Sequence, residues 1–341
     1  MLQKIGANLW EISKPVMFLL VLVLTFVLRP LEGAEWIRSG LTTNGPVWGV
    51  RGHLAWAISP AGFRTNEPRG LIRLGYPVLS NGGYDLINFI AIEPVVAGKK
   101  SLSELERSRL DGKPGKRIWV DEGTKTVSGV LTNVAAGVEQ LTVNLGVESF
   151  DNGAIVRLVA QQRSDRPDEL ELAVYRDARS AHLEECVLTA TMGNMARTRL
   201  LWLKDEVLSS SALFPNYKGD GFARHELFPL SRLFKTETGD VLVAITTDEA
   251  DPAAVQPFRW RNFWYYGGSK VTQYWRVPAS QITPGLQAVV NGRYTYWGSR
   301  RAIPGGIAYE NFEMRQPFRD GQRFAFGITA RTPEQLGFQS R

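Results

Sequence analysis

The sequence predicts an all-β protein, a large antiparallel β-sandwich with one or two short helices, and three observations carry that prediction. Segments of alternating apolar and polar residues recur about a dozen residues apart through the middle of the chain, as half-buried strands do. Gly, Asn, Asp or Pro stands between several of them, where tight antiparallel turns need such residues. In Glu169-Leu170-Glu171-Leu172-Ala173-Val174-Tyr175 the period is two, and a helix would leave no coherent apolar stripe. The 341 residues suffice for a single domain over 35–341, and 44% apolar with 22% charged residues suits a folded core with a solvated surface.

Residues 1–34 stand apart. Lys4 and Lys14 precede an apolar run of 13 residues at 16–28, broken only by Thr25, and the small residues Gly33 and Ala34 follow. That length is short for a bilayer span and suits the apolar region of a secretory signal. The segment therefore reads as a signal peptide or an N-terminal membrane anchor, and the protein as exported, periplasmic or extracellular. Turn-rich text at 41–79 predicts short strands. Nearly continuous apolar residues at 86–96 predict a strand covered on both faces, ending or bulging at Pro94. The clearest helix signal is 101–111, where Ser101 can cap and Glu104 completes a capping box. Strands follow at 117–120, 126–131, 141–149, 154–162, 169–175, 182–191 and 197–207. Residues 209–275 read as long loops, 289–297 and 307–314 as strands joined through Pro304-Gly305-Gly306, and 331–336 as a short terminal helix.

Cys186 is the only cysteine, so no internal disulfide forms, and its strand context reads as a small buried apolar side chain. His53, His182 and His225 are too scattered for a zinc motif, and no cofactor is indicated; bound Ca²⁺ is compatible with the sequence without being signalled by it. Glu93 and Asn88, inside the apolar run, read as structural hydrogen-bonding groups. There is no Gly-x-Ser-x-Gly elbow, P-loop, dinucleotide fingerprint or His-Glu-x-x-His, which removes several common enzyme classes. The formal charge is +6, of which residues 1–34 carry +1, leaving +5 on the remainder and suggesting an acidic partner. The basic residues are dispersed, which argues against nucleic acid; an anionic polysaccharide or cell-envelope glycan fits an exported protein better. Ten Trp and 11% aromatic residues leave rings to spare for sugar stacking.

Two stretches concentrate chemistry. The loop at 214–226 groups Asn216, Tyr217, Asp220, Arg224 and His225. The strand at 307–314 places Glu310 between Ala308 and Phe312, a setting that raises a carboxyl pKa, with Glu313 expected on the opposite face. Tyr217, Arg224, His225 and Glu310 are the candidate catalytic residues. Asn216, Trp260, Trp264, Tyr266, Tyr274, Trp297, Arg300, Arg301 and Glu313 are the candidate substrate contacts.

The order of many antiparallel strands, a His-bearing middle loop and the late strand Gly306-Ile307-Ala308-Tyr309-Glu310-Asn311-Phe312-Glu313 resembles the galactose mutarotase-like β-supersandwich superfamily over most of 40–329. The resemblance implies a carbohydrate-active protein, with Glu310 and His225 at the positions of its base and acid, and leaves epimerase, lyase and hydrolase open. In β-elimination, Arg224 or Arg301 neutralises a uronate carboxylate, His225 takes the adjacent proton and Tyr217 protonates the leaving oxygen. In hydrolysis, Glu310 needs a second carboxylate, which Asp220 supplies if Glu313 faces away. A glycan-binding or envelope structural protein is the third reading.

Overall fold

The computed structural model describes residues 34–39, 46–59, 69–78, 81–120, 128–191, 197–247, 270–296 and 301–339. The alternation read from the sequence is realised as two large antiparallel sheets packed as a sandwich, with 52% of the described residues in strands and 5% helical. The apolar run at 16–28 lies outside the described residues, among which no helix is long and apolar enough to cross a membrane.

The chain lays down part of one sheet, then part of the other, and returns. It opens with β1 (Trp36–Arg38), β2 (Val47–Val50), β3 (Ala55–Ile58), β4 (Leu71–Tyr76), β5 (Asp85–Val96) and β6 (Lys99–Lys100) in the first sheet. It crosses to the second with β7 (Ile118–Val120), β8 (Val130–Ala135), β9 (Val138–Val147), β10 (Val156–Arg163) and β11 (Arg166–Arg176). β12 (Glu185–Thr191) returns to the first, and β13 (Thr198–Trp202) and β14 (Val207–Ser209) go to the second. After the one-turn helix α1 (Ser210–Leu213), β15 (Glu226–Pro229) joins the first sheet, and β16 (Phe234–Lys235), β17 (Val241–Thr247) and β18 (Thr272–Val277) the second. β19 (Gln287–Arg293) and β20 (Ala308–Arg315) then complete the ten-stranded first sheet, and β21 (Gln322–Thr329) the eleven-stranded second. The first sheet runs β1-β2-β3-β4-β5-β12-β20-β19-β15, so strands far apart in sequence lie side by side at its centre.

The two inner faces bury one continuous apolar layer, to which Ile90, Leu188 and Phe312 contribute from the first sheet and Leu172, Trp275 and Phe326 from the second. Polar ties cross it, two of them near its centre. Trp275 Nε1 donates to the Phe312 carbonyl at 2.8 Å, and Asn88 Nδ2 to Gln273 Oε1 at 2.5 Å, so Asn88 is a bonded interior amide as its position suggested. Cys186 is buried in the same layer, and burial pushes its thiol up to about 12.

Five expectations need correction. Residues 101–111 are not a helix, because Ser103 has committed the groups a helix would use. Its N–H donates to the Ile92 carbonyl at 3.1 Å, its carbonyl accepts from Lys116 at 2.7 Å, and its hydroxyl bridges Ile92 N and the Gly70 carbonyl. One turn closes, Glu106 N to Leu102 O at 3.0 Å, and the segment otherwise runs as a strap beside β5. Residues 197–207 are a hairpin and not one strand, turning where Leu203 N donates to Glu206 O at 3.0 Å. Residues 209–275 contain α1, four strands and short turns; only 214–225 is a true loop within their described part. The terminal helix is a single 3₁₀ turn at Glu334–Leu336, and Pro94 lies inside β5, two residues before its end.

Candidate functional site on the outer face of the first sheet

β20 carries one more residue than its neighbour. Val290 pairs with Phe312 and Gly292 with Tyr309, so a step of two residues on β19 spans three on β20. Tyr309 and Phe312 therefore both enter the core, while Ala308 packs with Tyr296 and Ile303 in a separate cluster. The bulge absorbs the change of phase, and Glu310 and Glu313 leave on the same outer face. The expectation that they face opposite ways fails for this reason.

The bulge also builds the neighbourhood of His225. It leaves the Asn311 N–H without a ladder carbonyl, and Asn291 Oδ1 accepts it at 3.0 Å. That bond fixes the orientation of the Asn291 amide, whose Nδ2 then meets His225 Nε2 at 3.3 Å. An amide N–H only donates, so Nε2 accepts and the imidazole is neutral with its proton on Nδ1. Burial lowers the pKa of His225 further; the field of Glu313 opposes this, and those of Arg315 and Lys100 add to it. His225 is nevertheless exposed at the mouth of its loop.

Around it lies a buried ionic group. Glu313, 1% exposed, accepts from Thr189 Oγ1 at 3.1 Å and Arg315 Nε at 2.6 Å. Lys100 pairs with Glu93 and approaches Glu313 at 3.9 Å, so one ammonium serves two buried carboxylates. Burial, with the charge of Glu313 behind it, pushes Glu93 up, and burial with the charge of Glu93 brings Glu104 to about 7. Glu310 is 4% exposed and has no hydrogen-bond or ion-pair partner among the described residues. Burial raises its carboxyl to about 7 against the pull of the Arg293 guanidinium.

The loop at 214–225 is fastened to this face. Phe222 forms a β-bridge with Arg293, Ala223 N donates to Gly292 O at 2.8 Å, and the Asp220 carbonyl accepts from Arg293 Nη2 at 3.4 Å. The middle loop thus meets the C-terminal strands through Asp220, Phe222 and Ala223 on β19, and His225 lies in the field of Glu313, while Glu310 feels Arg293.

Other candidates fall elsewhere. Tyr217 packs against the core, Arg224 is exposed and paired with Glu226 at 2.5 Å, and Asn216 sits in an exposed turn at φ +63°. Asp220 is exposed and meets Arg293 through its carbonyl alone, and Arg301 is exposed, its carbonyl accepting from Tyr296 N at 2.8 Å. Tyr274 belongs to the other sheet, buried with its hydroxyl donating to Glu169 at 3.0 Å, and is not part of this face. Trp260, Trp264, Tyr266, Trp297 and Arg300 lie outside the described residues. Sequence reading missed Lys100, Thr189, Asn291, Arg293 and Arg315, which belong to no motif. The one signal on offer was a polar residue inside an apolar strand, as in Val289-Val290-Asn291.

Among the described residues no group of three or more His, Cys, Asp or Glu side chains is set to hold a metal. Compared with protein-family models, curated proteins and solved structures, the chain matches none.

Proposed function

We propose that the protein is a carbohydrate-active enzyme that cleaves uronate-containing polysaccharide by β-elimination on the outer face of the first sheet. The observation that best supports this reading is His225, exposed, neutral and within the field of two cations. Removing the proton beside a uronate carboxylate needs an unprotonated base near neutral pH, and the lone pair that takes it is that of Nε2, so the substrate C–H displaces the 3.3 Å Asn291 contact as it approaches. That proton becomes acidic only when the carboxylate is neutralised, and Lys100 and Arg315, with side chains 29% and 18% exposed, are the cations beside the imidazole. The C–H electron pair becomes the new double bond, the glycosidic C–O bond breaks, and the leaving oxygen takes a proton. Water at the exposed mouth of the loop supplies that proton, since Tyr217 packs on the core and Glu310 is buried.

One observation favours hydrolysis as the second reading: Glu310 and Glu313 share a face, as a carboxylate pair must. Both are at most 4% exposed, whereas His225 is open, and elimination therefore fits the accessibility better.

The test is incubation with polygalacturonate and alginate, following ultraviolet absorbance and new reducing ends together. Elimination raises both, because it leaves a conjugated double bond, and His225→Ala abolishes the signal with the melting temperature unchanged. Reducing ends without absorbance transfer the chemistry to Glu310 and Glu313. Retention on immobilised polymer without either signal leaves a binding protein.

A further inference from the structure

The geometry points to the hairpin at 107–114 as a membrane-docking element that sets Leu110 into a bilayer carrying anionic lipid. The strap beside β5 doubles back on itself here. Arg107 bridges Pro114, Ser108 N donates to the Lys113 carbonyl at 2.9 Å, and Gly112, at φ +69°, turns the chain. Leu110 stands at the tip, 64% exposed, and Leu105 at the base is 55% exposed. A single exposed leucine is ordinary; what sets this one apart is how firmly it is held out. Glu148, 5% exposed, accepts from Arg109 N at 2.5 Å, Leu110 N at 3.3 Å and Arg117 N at 3.1 Å. On the other side Arg69, 2% exposed, clamps the Asp111 carboxylate with two bonds of 2.7 Å. The backbone beneath the tip is thus fixed by two buried charged groups, and the apolar side chain is kept in water instead of folding back.

Charge says what the tip meets. Residues 99–117 hold seven Lys or Arg against three carboxylates, a net +4 of the chain's formal +6. Lys116 is turned inward to Glu106 and Asp151, whereas Arg107, Arg109 and Lys113 are exposed along the hairpin. Asp151 is shared by Lys116 at 3.0 Å and Arg109 at 3.1 Å, one carboxylate against two cations. An aliphatic tip among cations fits a bilayer better than a glycan. Both supply anions, but sugar rings stack on flat aromatic faces, and a leucine has none. A bilayer with anionic lipid presents phosphates at its surface and acyl chains just beneath. Leu110 enters the apolar layer while Arg109 and Lys113 reach back to the headgroups. This docking is independent of the elimination chemistry, and its test needs no turnover.

Cys186 is the only cysteine and is buried, so Leu110→Cys gives the full chain one accessible thiol for a polarity-sensitive fluorophore. Glu237→Cys, in the exposed turn before β17 and five strands from β9 across the second sheet, is the control position. Each labelled protein is titrated with vesicles of phosphatidylcholine alone and of phosphatidylcholine with phosphatidylglycerol. Emission from position 110 should shift to the blue on the anionic vesicles and stay put on the neutral ones, and position 237 should shift on neither. Adding Arg109→Gln with Lys113→Gln to the Leu110→Cys chain should raise the lipid concentration for half the shift about thirtyfold, with the melting temperature unchanged. An unshifted label at 110 on anionic vesicles that nevertheless sediment the protein overturns the proposal, because another part of the chain then carries the binding. A shift equal on neutral and anionic vesicles overturns it too, as does a melting temperature that falls in step with the loss of the shift. Retention on polygalacturonate-agarose that depends on Arg109 and Lys113, with no shift on either vesicle, assigns the hairpin to a soluble polyanion and overturns docking as well.

Discussion

Asn291 decides how His225 behaves. Its Oδ1 is taken by the Asn311 N–H, so only a donor faces the imidazole, and a donor opposes protonation at Nε2. Asn291→Asp keeps the acceptor for Asn311 and replaces the donor with an anion. The imidazolium is then favoured, the pKa of His225 rises, and the acid limb of the pH–rate profile for the proposed elimination moves to higher pH, since that reaction needs the unprotonated base. A titration of the His225 ring by NMR should move the same way; an unchanged ring pKa would detach Asn291 from this role.

The strap at 101–116 is the element whose sequence and structure disagree most, and Ser103 explains it. A capping box describes what Ser101 and Glu104 could do in isolation, whereas Ser103 bonds to residues 11 and 33 positions away in sequence. No local pattern can record such partners. Ser103→Ala removes an acceptor from Ile92 N and a donor from the Gly70 carbonyl in a buried site, and should lower stability in denaturant titrations by about 2–3 kcal/mol. The regular strands were legible for the opposite reason. β10 and β11 alternate because each has one face in the core, a relation that period two expresses directly. The bulge in β20 was not legible, since an extra residue shows only against the partner strand, and with it went the shared face of Glu310 and Glu313. Within the site, His225 and Glu310 stood out by residue type, while Lys100 and Arg315 matter only through what folding places beside them.

At the scale of the whole molecule, buried carboxyls give the sandwich a stability that depends on pH. Glu310 ionises near 7 in the fold against a reference of 4.5, and burial lifts Glu104 to about 7 as well. Between those values the unfolded chain releases protons that the native protein retains, so stability is greatest below pH 4.5 for these groups, falls as pH rises to 7, and levels beyond. Glu310→Gln, a neutral isostere, should match the wild type near pH 4.5 and exceed it above pH 7 by about 3 kcal/mol in denaturant titrations. Equal stability of variant and wild type at both pH values would mean that the Glu310 carboxyl titrates in the fold as it does in the unfolded chain.

A strand with an extra residue keeps two phases at once, one on each side of the insertion. In terms of the gene, removing a single codon at 310 or 311 would leave Tyr309, Phe312 and Met314 facing the opposite sheet as before. What would vanish is the stranded amide of Asn311, and with it the reason for Asn291 to hold His225. The core-facing phase of β20 is thus the same with or without that codon, whose presence is written on the outer face alone.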